Sequence, residues 1–411
     1  MKWPRSFLFL WSGQTMANLA DSFYIQGIVL FIYHATHSAA YAAFVPVIRL
    51  GAMMASGLIA PLLMERMPLL RLLKLSQLGQ TCFLALMILI IPHVGSSFLA
   101  ICVFIALTSF FDGWSNPSRN ALTPRLVSEE QWVKANSLTA TTDQLVLLIG
   151  WGLGGLLVTL FSPISILWLT VSLFAFSAFT LFGISDPMQN ADSAATEPQA
   201  NRWETLQEGW RHLFTHPLLK RLIAMDIFDF AAGGVWAGAV MLAFVTQVLQ
   251  AGEEWWNFLN GTYFAGTMLG GFIALKWSKW VDHHLLLCLF IGGLSMFGFT
   301  FIYAISPWPL VSLMLCLLMG PPNQTKEIAK RTLYQSSVSL EMMPKVFAAQ
   351  NMVSYALFSL SVLVMGWIVD VLSAQAAYLV ATGLYAVSFV ISVSLRRHAI
   401  NPEHKTGARV G

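Results

Sequence analysis

The chain has 411 residues, 56% of them hydrophobic and only 10% charged, with a net charge of +3. A soluble domain carries roughly 25% charged residues, so this composition excludes a chain that covers its surface with charge, and so small a net charge gives no basis for binding nucleic acid. It points to an all-α integral membrane protein that crosses the bilayer many times.

A helix needs about 20 apolar residues to cross the hydrocarbon core. On that length the sequence predicts twelve transmembrane helices, near residues 6–33, 41–64, 69–91, 97–119, 136–160, 163–185, 218–249, 255–277, 283–305, 308–326, 346–372 and 374–396. The first opens on MKWPRSFLFLW, yet its apolar run continues to about Tyr33, too long for a cleaved leader. With twelve spans and the amino terminus inside, 22 of the 23 Lys and Arg residues fall in cytoplasmic loops, termini or adjoining helix ends, the exception being Arg49. Both termini are therefore expected in the cytoplasm.

Residues 186–217 change character, reading DPMQNADSAATEPQANRWETLQEGWRHLFTHP. This polar stretch divides the spans six and six, giving a bundle over 1–185, a linker over 186–217, a second bundle over 218–397 and a tail over 398–411. Trp203, Leu206, Trp210 and Leu213 recur at helical spacing within the linker, as in an amphipathic helix on the membrane surface, or a short helix in a solvated connector.

The charged residues inside the predicted spans are costly to bury, so each is a functional candidate beside a structural reading. In helix one, Gln14, Asn18 and Asp21 fall at i, i+4 and i+7 and form one polar stripe. Arg49 is expected at a depth matching Asp21, as a proton- or anion-sensing pair or as a structural bridge between helices one and two. Asp226 and Asp229 are three apart in helix seven; carboxylates this close favour holding a proton between them, the property of a coupling site, with gate contacts to basic loops as the alternative. Asp112 and Asp143 share the cytoplasmic third of the membrane with Arg119 and the loop carrying Glu65, Arg66 and Arg71, and are expected to latch an inner gate or relay protons. Gly150 and Gly154 form a small-xxx-small pattern for close helix packing. His34 with His37, and His283 with His284, lack the further ligands that a metal site needs. The four cysteines sit in apolar stretches without paired spacing, which argues against a disulfide framework.

Two stretches, FFDGWSNPSRNALTPRLVSEEQWVKANSL from Phe110 and GPPNQTKEIAKRTLYQSSVSLEMMPKVFAAQNM from Gly320, repeat one design. Each follows an outside-to-inside span, carries proline at its end, continues as a basic amphipathic connector, and meets Asn136 or Asn351 before a Gly-Trp pair, Gly150-Trp151 or Gly366-Trp367. The halves therefore read as parallel repeats.

These segments resemble the major facilitator superfamily of bacterial transporters, in the branch of macrolide and siderophore exporters and lysophospholipid carriers, over nearly the whole chain. FLFLWSGQTMANLADSFYIQGIVLFIYHATHS is similar to the family's first helix, with Ala20-Asp21 in place of Gly-Asp. LLMERMPLLR resembles its loop between helices two and three, Glu65, Arg66 and Arg71 matching its acid and basics while Leu69 and Leu70 replace two basics. NPSRNALTPRLVSEEQWVKANSL is similar to its Pro-Ala-Arg segment, with Ser118 for Ala. LIGWGLGGLL resembles the antiporter motif of helix five through Gly150, Gly154 and Gly155, with Trp151 where that motif has proline.

The resemblance implies two pseudo-symmetric six-helix bundles in a bacterial inner membrane, acting as a monomer. It implies a secondary transporter, not an enzyme, exporting a small amphipathic molecule by proton antiport. Asp21, Asp226 and Asp229 are the first choices for coupling. A lysophospholipid carrier, a solute importer, and a non-transporting sensor or partner subunit are the alternatives. No Walker loop, Gly-x-Ser-x-Gly elbow or His-Glu-x-x-His helix is present, so no cofactor is expected and the driving force is an ion or solute gradient.

Overall fold

The computed structural model describes residues 3–36, 39–94, 98–188, 202–236, 238–252 and 254–400. All regular structure there is helical, as the bilayer requires of backbone that must satisfy its own hydrogen bonds. In chain order the helices are α1 (Arg5–Thr36), α2 (Ala39–Arg66), α3 (Leu69–Val94), α4 (Phe98–Asp112), α5 (Ser115–Leu126), α6 (Trp132–Leu160), α7 (Pro163–Thr180) and α8 (Arg202–Thr215). They continue as α9 (Pro217–Gly233), α10 (Gly238–Gln247), α11 (Glu254–Lys276), α12 (Ser278–His283), α13 (Leu285–Ile305), α14 (Pro309–Ser336), α15 (Met343–Val371) and α16 (Ala374–Ile400).

Among the described residues, eight helical stretches are long and apolar enough to cross a membrane, or nine if Pro217–Trp236 and Val240–Gln247, bent by 53°, count as one. Helices α1, α6 and α14 are not among the eight, although they run for 32, 29 and 28 residues.

The helices fall into two compact units. The first is drawn from Met1–Trp132, Leu145–Arg211 and Ser339–Met352, the second from Val133–Gln144, His212–Val338 and Val353–Gly411. In the first unit α1 packs on α7, α2 and α3 pack on α4, and α3 on α7. Its core holds Tyr24, Ile28, Leu84, Ile105, Leu167 and Phe174, all nearly inaccessible. In the second, α9 packs on α16, α11 and α13 pack on α14, and α13 on α16. Its core is aromatic, with Phe244, Tyr303 and Tyr378 in mutual ring contact and Trp236 donating to the Tyr385 hydroxyl. The same four pairings thus recur in each unit in the same chain order.

Two expected connectors are helices. The fourth span, expected over 97–119, breaks after Asp112 and continues as α5 to Leu126, with its side chains almost wholly buried. Its polar groups can be buried because they meet partners: Arg119 donates to Asn116 at 3.0 Å, and Arg125 reaches Asp186 at 3.5 Å and the Leu340 carbonyl at 3.4 Å.

The second repeat stretch likewise does not end its span at residue 326. Helix α14 runs through both prolines to Ser336. A proline leaves the carbonyl four residues back without its helical donor. The Leu317 carbonyl left this way lies against Gly266 of α11, where a Cβ would collide with it. The glycine lets the two backbones meet closely. The linker helix is present as α8; the residues before it, 189–201, and the tail from 401 onward lie outside the described residues.

Candidate functional site

In the first unit, α1 and α2 bring Asp21 and Arg49 together. Arg49 Nη2 donates to Asp21 Oδ1 at 2.7 Å and lies 3.7 Å from Asp112 Oδ2, at the last residue of α4. The guanidinium also stands 5.2 Å over the Tyr24 ring, a cation–π arrangement. Arg49 is buried, whereas Asp21 keeps 34% of its side chain exposed. Along the same stripe Gln14 donates to Asn18 at 2.9 Å. Asp112 is thus held by Arg49, not only in the expected company of Arg119. These contacts join two carboxylates to one cation.

In the second unit, α9 and α14 build a denser network. Lys330 Nζ lies 2.5 Å from Asp226 Oδ1, 3.0 Å from Asp229 Oδ2 and 2.9 Å from Glu327 Oε1. Lys326 Nζ is 2.9 Å from Asp229 Oδ2 and 3.7 Å from Glu327 Oε1. The Tyr334 hydroxyl donates to Asp226 Oδ2 at 2.9 Å. Asp226, Lys326 and Lys330 are almost completely buried, while Glu327 is 44% exposed. These contacts join three carboxylates to two ammonium groups. Buried charge on this scale persists only because each member has a close counter-ion.

Lys326, Lys330 and Tyr334 were not among the sequence candidates, which placed the end of this span at residue 326. Their signal was there: 326, 330 and 334 are spaced by four and share a helix face. Continuing the helix beyond residue 326 would have placed Lys330 and Tyr334 on the face of Lys326. Glu327, the network's more accessible acid, was missed for the same reason.

The remaining candidates are dispersed. Arg66 and Arg71 are exposed, and the side chain of Glu65 lies outside the described residues. Asp143 is half-buried in α6, in the portion assigned to the second unit. Gly150 packs on α1: a Cβ there would press on Ser22, and its carbonyl accepts from Gln26 Nε2 at 2.9 Å. The surroundings of Gly154 and Gly155 fall outside the described residues, as do the side chain of His34 and all of His37. Asn136, marked by the repeat, donates to Gln335 Oε1 at 2.7 Å and Thr332 Oγ1 at 3.1 Å within the second unit. Among the described residues no group of three His, Cys, Asp or Glu side chains is placed to hold a metal ion.

Comparison with known proteins places this geometry in context. The model of the Major Facilitator Superfamily matches residues 10–325. The uncharacterized MFS-type transporter YfmI of Bacillus subtilis is 32% identical over 384 residues, 93% of this chain and 94% of that protein. The multidrug efflux pump Tap of Mycolicibacterium fortuitum is 22% identical over 306 residues, 72% of each chain. In fold, the chain is similar to a bacterial homologue of the iron transporter ferroportin in its outward-facing state, with TM-score 0.75 and 13% identity over 95% of this chain and 99% of that one. It is also similar to the E. coli fucose:proton symporter FucP, with TM-score 0.74 and 13% identity over 94% and 98% of the two chains. A family model covering most of the sequence, a relative sharing a third of its residues, and helices long enough for a bilayer all agree. The chain belongs to the Major Facilitator Superfamily and is a multi-pass membrane transporter, not an enzyme.

Proposed function

We propose that the chain is a proton-coupled exporter of a small amphipathic compound, working by alternating access. The observation that carries this reading is that each unit holds carboxylates against buried cations: Asp21 and Asp112 on Arg49, and Asp226, Asp229 and Glu327 on Lys326 and Lys330. A carboxylate in such a cluster can be neutralised by a proton or by a cationic group. Such a site can therefore exchange one for the other. The similarity to a multidrug efflux pump supports export of drug-like cargo. The branch of macrolide and siderophore exporters fits the same reading.

In this account the chain has twelve spans, with α4–α5 and α9–α10 each serving as one broken crossing, and both termini lie in the cytoplasm of a bacterial inner membrane. The two six-helix bundles over 1–185 and 218–397 are pseudo-symmetric, a reading supported by the recurrence of the four helix pairings. Asp21, Arg49, Asp226 and Asp229 carry coupling, with Gln14 and Asn18 lining the approach to Asp21. Glu65, Arg66, Arg71, Asp112, Arg119 and Asp143 serve the cytoplasmic gate.

The test is cargo-dependent proton movement in proteoliposomes containing a pH-sensitive dye. A panel of antibiotics, siderophores and lysolipids would be added in turn. At least one amphipathic compound should move protons; cargo flux with no proton movement would contradict coupling.

A further inference from the structure

The second unit carries a groove that the coupling clusters do not use. Its volume is about 420 Å³, within the roughly 300–1,000 Å³ of ordinary ligand pockets. Trp277 and Trp280 wall one side, Ile273 and Ile291 line it further, and Pro321 and Pro322 of α14 also line it. The prolines present no N–H to whatever fills it. Both indoles are half exposed, Trp277 between α11 and α12 and Trp280 within α12. The walls are apolar, so a polar solute gains nothing there.

The rim is different. Residues 276–284 read KWSKWVDHH, and Lys276, Lys279, Asp282, His283 and His284 are all exposed. Two lysines face one acid in that stretch. Lys276 Nζ lies 5.3 Å over the Trp277 ring, and His284 stacks on Trp280 with centroids 4.6 Å apart. The cationic and imidazole groups are therefore held directly at the mouth of the groove. Nδ1 of His283 and His284 pairs with the carbonyls of Lys279 and Trp280, at 2.7 and 2.8 Å, which leaves each Nε2 for a headgroup hydroxyl.

An apolar slot with basic and imidazole groups at one end matches the charge layout of a single molecule, an anionic phospholipid. We infer that the groove between α11, α13 and α14 binds an anionic, hydroxyl-bearing phospholipid such as phosphatidylglycerol, one acyl chain between the tryptophans and its phosphate on Lys276 and Lys279. Bulk lipid wets any apolar face; the rim makes this one selective. Each lysine near a phosphate strengthens attraction by about fivefold. The inference rests only on the chain spanning a membrane, not on its cargo.

The test uses the full chain in a neutral detergent, titrated with phosphatidylglycerol or phosphatidylcholine brominated on the acyl chains, which quench nearby tryptophan. Subtracting the quenching of a Trp277→Phe/Trp280→Phe variant isolates the groove indoles. Phosphatidylglycerol should quench this component at concentrations at least tenfold lower than phosphatidylcholine, and Lys276→Gln/Lys279→Gln should bring the two lipids together. The rim side chains are exposed, so that variant is expected to fold; an unchanged melting temperature checks it. Equal quenching by the two lipids in the wild type, or a preference unaltered in the lysine variant, overturns the proposal.

Discussion

Lys330 Nζ lies 2.5 Å from Oδ1 of Asp226, across 104 residues of sequence, and both side chains are at least 96% buried. An ammonium and a carboxylate removed from water this completely are each other's condition for staying charged. Removing one partner strands the other, at a cost of about 3–5 kcal/mol. Lys330→Met should therefore lower the stability of the purified protein by that order in thermal or denaturant unfolding. Adding Asp226→Asn should recover more than half of the loss, because the stranded charge is gone. Additive losses would show that the two residues do not act as a pair.

Arg49 makes the parallel prediction in the first unit. Its Nη2 alone serves both Asp21 and Asp112, so the point charge matters more than the guanidinium fork. Arg49→Met should destabilise by about 3–5 kcal/mol, and Arg49→Lys by less than half of that. Melting temperatures of the two variants in one detergent compare them directly. Equal losses would mean that the contact with Tyr24 and the planar fork dominate instead.

Helices α11 and α14 meet at Gly266. A Cβ there would strike the Leu317 carbonyl and the Gly320 backbone, whereas at Gly261, five residues earlier on α11, it would meet nothing within 4 Å. Gly266→Ala should cost about 1–3 kcal/mol through overpacking. Gly261→Ala should be neutral or stabilise by up to about 1 kcal/mol through helix propensity. The same unfolding assay on both variants checks the contrast.

His216 provides a pH-dependent contact outside the spans. It precedes α9, and its Nδ1 accepts from the Leu219 backbone N–H at 3.4 Å, which only the unprotonated nitrogen can do. Burial, and then neighbouring His212, push the imidazole below its ordinary value of 6.5. The folded state thus binds its proton less readily than the unfolded chain. The cap's contribution is fully present above the ordinary imidazole range and is lost as pH falls below it. His216→Asn keeps an acceptor at the cap and should flatten the melting temperature between about pH 5 and 7 relative to the wild type. Identical pH profiles would remove His216 from that dependence.

Hydropathy and helix length made the helices legible, because a bilayer admits few other backbones. The depth match that brought Asp21 toward Arg49 was also readable, since both lie well inside apolar stretches. What stayed hidden depended on contacts that a linear pattern does not encode. The span read as ending near residue 326, yet α14 continues to Ser336, and Asp226 and Asp229 of α9 let Lys326 and Lys330 be buried. Arg125 read as a loop basic, yet Asp186, 61 residues on, lets it be buried. In both cases tertiary pairing overrode local chemistry. The spacing of Lys326, Lys330 and Tyr334 was visible but needed the helix to continue before it meant anything.

The proposed role of the cluster on α9 and α14 is to couple cargo to protons. It is tested most directly in proteoliposomes with a cargo identified by ligand-induced thermal stabilisation, comparing wild type with Asp226→Asn/Asp229→Asn. The variant should still exchange labelled cargo for unlabelled cargo at equilibrium but no longer accumulate it against a gradient when a pH difference is imposed. Accumulation driven by the pH difference at the wild-type level in that variant would contradict that role.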